Sequence, residues 1–251
     1  MTPLLDPYVI RILLVVGALG AILLFVADLI LYYPFNPQDR TAKSYFDKID
    51  PGGSFLADSS MKMISRERVM LGGVLGPVSA VLYGVGFVGL FCGLYSSDGG
   101  GWIMPLTSSL GFTFLMTVAA VYHALFAYTS FLSQQIAKAK KENDNGRGLE
   151  ELVDIHRTYL KYIYKWCAIP GALGSLSFIY CCLFTNCLFA PWTVLFAPAF
   201  SAFLKKHLKR NSIGGLVLCG GLTNLWNLCF FSVLIISISA HCRVVIVQHS
   251  Q

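Results

Sequence analysis

The stretch that decides the fold is residues 8–33, YVIRILLVVGALGAILLFVADLILYY, in which Arg11 and Asp28 are the only charged side chains. A helix needs about 20 apolar residues to cross the hydrocarbon core of a bilayer, and this block is longer than that. It is also longer than the apolar region of a secretory signal peptide, and it ends in Tyr32 and Tyr33 rather than in the small residues of a cleavage site. We therefore interpret it as a retained membrane span.

The composition of the whole chain extends this interpretation. Of the 251 residues, 55% are hydrophobic and 13% are charged, whereas about a quarter of the residues of a soluble domain are charged. The hydrophobic residues come in long blocks rather than in the alternating segments of about ten residues that build a membrane barrel. Because backbone polar groups in lipid must be satisfied within each segment, the blocks predict helices. The predicted fold class is an all-α, polytopic transmembrane helix bundle.

The apolar blocks and the breakers between them predict a single membrane domain over residues 1–251 with about six spans. We place the spans at about residues 8–33, 69–95, 102–136, 162–184, 189–204 and 213–240. The third span is expected to continue as a helix to about Lys141, and an amphipathic helix over 149–164 is expected to lead into the fourth. The fifth span is short and contains Pro191 and Pro198, so a kink or partial entry is expected. Residues 34–68 form an inner loop for which we expect a short interfacial helix.

The basic residues support this count and suggest an orientation. Arg11 and Arg243 stand alone, whereas the other 17 of the 19 Lys and Arg residues lie in or beside three loops: Arg40, Lys43, Lys48, Lys62, Arg66, Arg68; Lys138, Lys140, Lys141, Arg147, Arg157, Lys161, Lys165; and Lys205, Lys206, Lys209, Arg210. Basic loops stay on the cytoplasmic side, or on the matrix side of a mitochondrial inner membrane. Both termini are therefore expected on the exoplasmic or intermembrane side. If the fifth span only entered the membrane partway, the last cluster would change sides and the bias would fall to 13 against 6.

The second predicted span carries a packing signal. Small residues recur every fourth position at Gly72, Gly76, Ala80 and Gly84. Small side chains at this spacing let two helix backbones approach closely in a membrane. The partner of this ridge is another span of the chain or a second copy, and Pro77 within it is expected to kink the helix or to free a carbonyl.

Ionisable residues inside membrane spans are the first candidates for function, because each is costly unless it is paired or hydrated. Asp28 lies about one and a half turns from the inner end of the first span, and His123 lies slightly inward of the middle of the third. Since these spans run antiparallel, the two side chains are expected at similar depth, where they would form a proton-handling pair. In the alternative interpretation Asp28 reaches the inner interface and His123 bonds a backbone or hydroxyl group. Asn224 and Asn227 would join the polar site or simply link helices.

Motifs for other chemistry are weak. The eight cysteines show no paired C-x-x-C and no histidine at zinc-finger spacing, so we expect no metal site. They are interpreted as small apolar residues, with disulfides among Cys92, Cys181, Cys182, Cys187 and Cys242 as the alternative. Residues 84–89, GVGFVG, match the dinucleotide-binding pattern by letter, but they lie inside a predicted span. No catalytic residue and no cofactor are predicted.

Three short segments carry a resemblance: Ala27–Tyr33 (ADLILYY), Leu71–Pro77 (LGGVLGP) and Tyr122–Phe126 (YHALF). Their arrangement resembles an uncharacterised family of multi-span membrane proteins found in bacteria and microbial eukaryotes. The resemblance covers most of the chain. It implies a grouping at the level of the fold and assigns no catalytic residue.

Three classes of function fit these features. The first is an accessory or structural subunit of a membrane complex, because the chain is small and has neither a soluble domain nor a catalytic motif. The second is a transporter of a small solute or of protons that uses Asp28, His123, Asn224 and Asn227. The third is a membrane enzyme acting on a lipid with Asp28 and His123 as acid and base. The expected partners are the lipid bilayer and protein subunits or further copies of the chain. Nucleic acid is not expected, because no basic patch is interleaved with aromatic residues.

Overall fold

The computed structural model describes residues 4–32, 65–95, 101–141, 147–201 and 213–249. This part of the chain is helical and contains no β-strand, so the all-α prediction is confirmed there. The helices are α1 (Pro7–Tyr32), α2 (Arg66–Leu94), α3 (Ile103–Lys141), α4 (Arg147–Phe184), a 3₁₀ helix (Pro191–Phe196) and α5 (Ile213–His249). The expected interfacial helix of the 34–68 loop and the Lys205–Arg210 cluster lie outside the described residues, apart from the start of α2.

Helix boundaries follow the apolar blocks, with local signals moving the ends. Helix α2 begins three residues before the predicted span, because Ser65 caps it by accepting a hydrogen bond from the backbone N–H of Arg68 at 3.3 Å. The predicted amphipathic helix and the fourth span form one continuous helix, α4. Helix α2 also continues through Pro77, whose ring lies on its exposed side.

In the part of the chain that the structure describes, four helices are long and apolar enough to cross a membrane: Pro7–Leu31, Arg66–Leu94, Ile103–Leu125 and Gly221–Ala240. The apolar half of α4, Ala168–Phe184, is shorter. At about 1.5 Å per residue its 17 residues cover about 26 Å, slightly less than a hydrocarbon core of about 30 Å. Among the described residues the structure thus has four membrane-length helices, and the predicted count of about six spans stays a prediction.

Neighbouring helices pack in the ring order α5, α1, α2, α3, α4, and the 3₁₀ helix lies between α4 and α5 to close the ring. Close contacts show that helices adjacent in this order run antiparallel to each other. A Cβ on Gly76 of α2 would meet His123 of α3, whereas Phe87, further along α2, packs on Phe112, which comes earlier in α3. Likewise Gly221 at the start of α5 meets Phe25, near the end of α1.

The centre of the ring is aromatic. The rings of Phe87 and Phe231 lie 5.6 Å apart, and Phe230 makes edge contacts with Phe112 at 5.9 Å and with Phe178 at 5.2 Å. Edge and tilted contacts of this kind add to the stabilisation from burial. This aromatic core joins α2, α3, α4 and α5, and it adjoins the polar residues described below, since Phe87 stacks on Tyr83 at 5.9 Å.

The predicted fifth span over residues 189–204 is described as far as Ser201, and in that part it contains a short 3₁₀ helix rather than one continuous helix, which agrees with the expected kink or partial entry. The six-residue 3₁₀ helix starts at Pro191, and Pro198 follows soon after its end. Proline lacks the N–H that an α-helix requires, so two prolines at this spacing limit the helix to a short piece. The segment nevertheless packs against the bundle, because its backbone forms hydrogen bonds with side chains of α5.

The depth of this segment follows from its contacts with α5. The backbone N–H of Ala190 donates to Ser237 Oγ at 2.6 Å, and Trp226 Nε1 donates to the carbonyl oxygens of Phe196 and Ala197 at 3.0 and 3.2 Å. Ser237 and Trp226 are eleven residues apart on α5, or about 16 Å along its axis. The chain thus descends along α5 by about half the thickness of a hydrocarbon core.

Candidate polar site in the helix bundle

Four helices contribute side chains to one buried polar cluster. Asp28 comes from α1, Tyr83 from α2, His123 from α3, and Asn224 and Asn227 from α5. Taken over the whole residue, their relative exposures range from 0% for Tyr83 to 6% for His123. In the interior of an apolar bundle, polar groups are stable only when they bond to one another or to bound water.

Both carboxylate oxygens of Asp28 have partners. His123 Nε2 lies 3.2 Å from Oδ1, and Asn224 Nδ2 donates to Oδ2 at 2.6 Å. The carboxylate thereby links three helices, α1, α3 and α5. Two partners on different helices also restrict rotation of α1 about its axis, because the carboxylate must meet both.

The cluster continues from Asn224 toward the aromatic core. The Tyr83 hydroxyl donates to Asn224 Oδ1 at 3.4 Å and accepts from Asn227 Nδ2 at 3.3 Å. Asn227 Nδ2 also lies 3.8 Å from the sulfur of Met116. The five polar side chains therefore form a chain of hydrogen bonds running from His123 to Asn227.

Local sequence explains why these side chains meet. Asn224 and Asn227 are three residues apart and share one face of α5. His123 approaches α2 closely because Gly76 has no side chain, and a Cβ there would lie 2.5 Å from the His123 Cβ. Asp28 and Asn224 lie at the same depth because α1 and α5 run antiparallel.

The structure brings together all four residues of the predicted polar site. The alternative interpretation, with Asp28 at the headgroups and His123 on a backbone or hydroxyl group, disagrees with the observed contacts. Tyr83 was missed by the sequence reasoning. A tyrosine in the middle of a span, away from the interfacial belt, is the signal that would have identified it. Whether the cluster acts in function stays a prediction.

Two acceptor atoms of the cluster have no hydrogen-bond partner among the described residues: His123 Nδ1 and Asn227 Oδ1. They lie at opposite ends of the hydrogen-bonded chain. Every other polar side-chain atom of the cluster makes at least one of the contacts given above. Hydrogen bonding is therefore satisfied along the chain of side chains, and within the described residues an unpaired polar atom remains at each end.

The small-residue ridge is only partly as predicted. Gly72 packs against Leu31 and Gly76 against His123, but a Cβ on Gly84 would meet nothing within 4 Å. A four-residue repeat drifts about 40° per step, so three steps turn it about 120° away from the first neighbour. The predicted ridge therefore does not face a single neighbouring helix along its length. It consists of Gly72, Gly76, Ala80 and Gly84.

The small residues that face α1 instead follow a seven-residue period. Gly72, Ser79 and Gly86 are buried, and a Cβ on Gly86 would lie 2.5 Å from the Gly17 Cα, a backbone atom. A seven-residue repeat drifts only about 20° per step and so keeps one face toward a straight neighbour. Gly86 belongs to the GVGFVG match and serves this close helix contact.

The cysteines that the structure describes with their side chains are free thiols: Cys92, Cys181, Cys182, Cys187 and Cys229. Thr193 of the 3₁₀ helix donates to Cys182 Sγ at 3.6 Å, and the Cys187 thiol lies 3.5 Å from the Phe189 carbonyl. A hydrogen bond from the Cys182 side chain lowers the pKa of Cys187 below its usual range. Within the described part of the chain, no three His, Cys, Asp or Glu side chains are grouped so as to hold a metal ion.

Comparisons with known proteins place the chain at the level of a family. No curated protein matches it, and no solved structure matches it. A family model described as a family of unknown function, DUF6796, matches residues 2–241. This agrees with the resemblance to an uncharacterised family, and because the match covers nearly the whole sequence, the chain belongs to the family of unknown function DUF6796.

Proposed function

We propose that this chain is a multi-pass integral membrane protein that serves as an accessory or structural subunit of a membrane complex. The observation that carries the proposal is the polar cluster, in which side chains of α1, α2, α3 and α5 bond mainly to one another. A substrate site directs its polar groups toward a ligand, whereas both oxygens of Asp28 are occupied within the chain. Such a cluster holds helices together, which is the role of most amides inside membranes.

The outward surface supports the membrane assignment. Valines on the outer face of α2 are strongly exposed, with Val81 at 68% and Val74 at 58%. On α4 the exposed set is aromatic and aliphatic and includes Trp166 at 65% and Leu176 at 64%. Soluble monomers rarely expose continuous apolar surfaces of this kind, whereas the lipid bilayer is a partner that matches them.

The proposed topology has six passages, with both termini on the exoplasmic or intermembrane side. The antiparallel order of the helices and the basic loops between them support it. The fifth passage would be made by the broken segment that contains the 3₁₀ helix. Helix α5 favours this, because Gly221 of α5 packs beside Phe25 of α1, while the chain before the 3₁₀ helix bonds α5 further along, where Ala190 donates to Ser237.

The accessory role is tested by gentle isolation from native membranes. A tagged chain is extracted in a mild detergent after brief cross-linking, and its partners are identified by mass spectrometry and by the mass of the particle. We expect one or more different membrane proteins in fixed stoichiometry. Recovery of only the single chain, or of copies of it alone, from cross-linked native membranes would contradict the accessory role.

Transport of a small solute or of protons is the second candidate. It is favoured by the short 3₁₀ helix between Pro191 and Pro198, because transporters commonly bind their solutes at interrupted helices within the membrane. Liposomes that contain the purified chain and an internal pH dye test the proton form of this candidate. Flux no faster than in protein-free liposomes would count against it. An enzyme acting on lipid is not proposed, because its acid and base would be buried among four helices.

A further inference from the structure

The contact between Asp28 and His123 joins two ionisable side chains, each 7% exposed, in a bundle of apolar helices. The number of protons that they share sets the charge at the centre of the protein. With Asp28 ionised and His123 neutral, the pair carries one negative charge, and the neighbouring amides and hydroxyl supply only dipoles. An uncompensated charge is strongly disfavoured in such surroundings.

One additional proton removes this net charge in either of two ways. The proton makes His123 a cation beside the Asp28 carboxylate, or it lies between Asp28 Oδ1 and His123 Nε2 as a neutral acid facing an imidazole. Asn224 already donates to Oδ2, so that oxygen is the poorer position for the proton. Both arrangements are overall neutral, and both suit a low-dielectric interior better than the anionic pair does.

The two neutral arrangements have one feature in common. In the imidazolium both ring nitrogens carry hydrogen, and in the neutral acid pair Nε2 accepts, so the ring proton lies on Nδ1. In the anionic pair Nε2 carries the hydrogen and Nδ1 is a bare acceptor. Gain of the proton thus converts Nδ1 from an acceptor to a donor, and Nδ1 is the buried ring atom that has no partner among the described residues.

We propose that the Asp28–His123 pair binds and releases one proton inside the helix bundle, with His123 Nδ1 as the ring nitrogen that changes from acceptor to donor when the proton is bound. The proton comes from solvent and returns to solvent, so no other reactant is required. This inference does not depend on the accessory role, because a chain with or without partners would contain the same pair.

Among the described residues, few other ionisable groups face the pair. On α2, Tyr83 bonds to Asn224 and Asn227 rather than to His123. The charged residues of α2 nearest this end, Arg66, Glu67 and Arg68, lie in its first turn, eight to ten residues before Gly76, or about 12–15 Å away. On α1 the other charged side chain, Arg11, lies 17 residues from Asp28, or about 25 Å along the helix. Among the α5 side chains that the structure describes, those that contribute to the polar cluster are the amides of Asn224 and Asn227.

Nitrogen NMR of the protein in lipid nanodiscs tests the proposal directly. The sample contains ¹⁵N-labelled histidine, and His123 is made the only histidine by glutamine substitutions at His156, His207, His241 and His249. We expect a single transition, as the pH is lowered, in which the Nδ1 signal changes from a bare to a protonated nitrogen. A purely structural pair predicts a signal that does not change with pH, and that result would overturn the proposal.

Asp28→Asn in the same single-histidine background provides the second measurement. The amide keeps a similar shape but cannot balance a cation, so the transition should be lost or should no longer match that of the parent. A transition identical to that of the parent would show that the proton belongs to His123 alone and would overturn the paired site. If this variant does not fold, the transition in the parent protein decides between a fixed and an exchanging pair.

Discussion

Asn224 joins the two halves of the polar cluster, because its amide nitrogen bonds Asp28 and its amide oxygen accepts from Tyr83. No smaller side chain at this position reaches both groups. Asp28 and Tyr83 come from different helices, so the amide connects α1 to α2 through α5. The stability of three helices therefore depends on one side chain.

Asn224→Ala should lower the free energy of unfolding by about 1–2 kcal/mol, since it leaves a carboxylate oxygen of Asp28 without a donor and the Tyr83 hydroxyl without an acceptor in the core. Thermal unfolding in detergent, followed by tryptophan fluorescence, measures the change. Ser232→Ala is the matched control, because Ser232 on the same helix bonds only the Leu228 carbonyl of its own backbone at 2.8 Å. Equal midpoints for the two variants would remove Asn224 from the stabilising cluster.

Glycine positions on α2 differ in the space around them. Gly76→Ala would place a methyl group 2.5 Å from the His123 Cβ, whereas Gly84→Ala would meet no atom within 4 Å. We expect the first substitution to lower the unfolding midpoint by several degrees, and the second to leave it unchanged or slightly raised because alanine favours the helix. The pair is compared in the same thermal assay. A Gly84 variant as unstable as the Gly76 variant would refute this assignment of contacts.

At the scale of elements, the 3₁₀ helix is held by hydrogen bonds at both of its ends. Ser237 and Trp226 of α5 bond the backbone before and after it, and the backbone N–H of Leu188 donates to the Gly93 carbonyl at the end of α2 at 2.9 Å. These bonds satisfy backbone groups that a short helix between prolines leaves free. The segment is therefore attached to its neighbours more than it is supported by its own hydrogen bonds.

Ser237→Ala should loosen this segment locally without unfolding the bundle. Loss of a bond worth about 1 kcal/mol raises the population of the open segment about fivefold, so amide exchange over residues 187–197 should accelerate by about that factor. Hydrogen–deuterium exchange read by mass spectrometry makes the measurement. Ser239→Ala is the control, because Ser239 bonds only the Ile235 carbonyl within α5. Unchanged exchange in the Ser237 variant would mean that the segment is held by other contacts.

At the scale of the whole molecule, the antiparallel ring neighbours and the basic loops predict one orientation in the membrane. In a cysteine-free background, a thiol introduced at Asn145 should react with a membrane-impermeant maleimide only from the cytoplasmic or matrix side. A thiol at Ser97 should react only from the opposite side, because α3 joins the two loops across the membrane. Sealed vesicles of each orientation make the comparison. Labelling of both positions from one side would refute the six-passage topology.

Hydropathy by itself determined where the long helices lie, because the requirement that a backbone in lipid satisfy its own hydrogen bonds depends only on segment length and composition. The predicted 8–33 span and α1 at Pro7–Tyr32 differ by one residue at each end. The polar site was also largely predictable. An ionisable side chain in a span needs a partner, and Asp28, His123, Asn224 and Asn227 are polar residues near the middle or inner half of their spans.

Only the tertiary structure decided which helices are neighbours, how each is rotated, and how the chain passes between Pro191 and Pro198. Rotation determined that Tyr83 joins the polar cluster and that the small residues facing α1 repeat every seven positions rather than every four. These features depend on contacts between residues up to 196 positions apart, such as Asn224 with Asp28, and helix periodicity alone does not encode them. The physical reason is that lipid and water select the helices, whereas packing and hydrogen bonding inside the bundle select their arrangement.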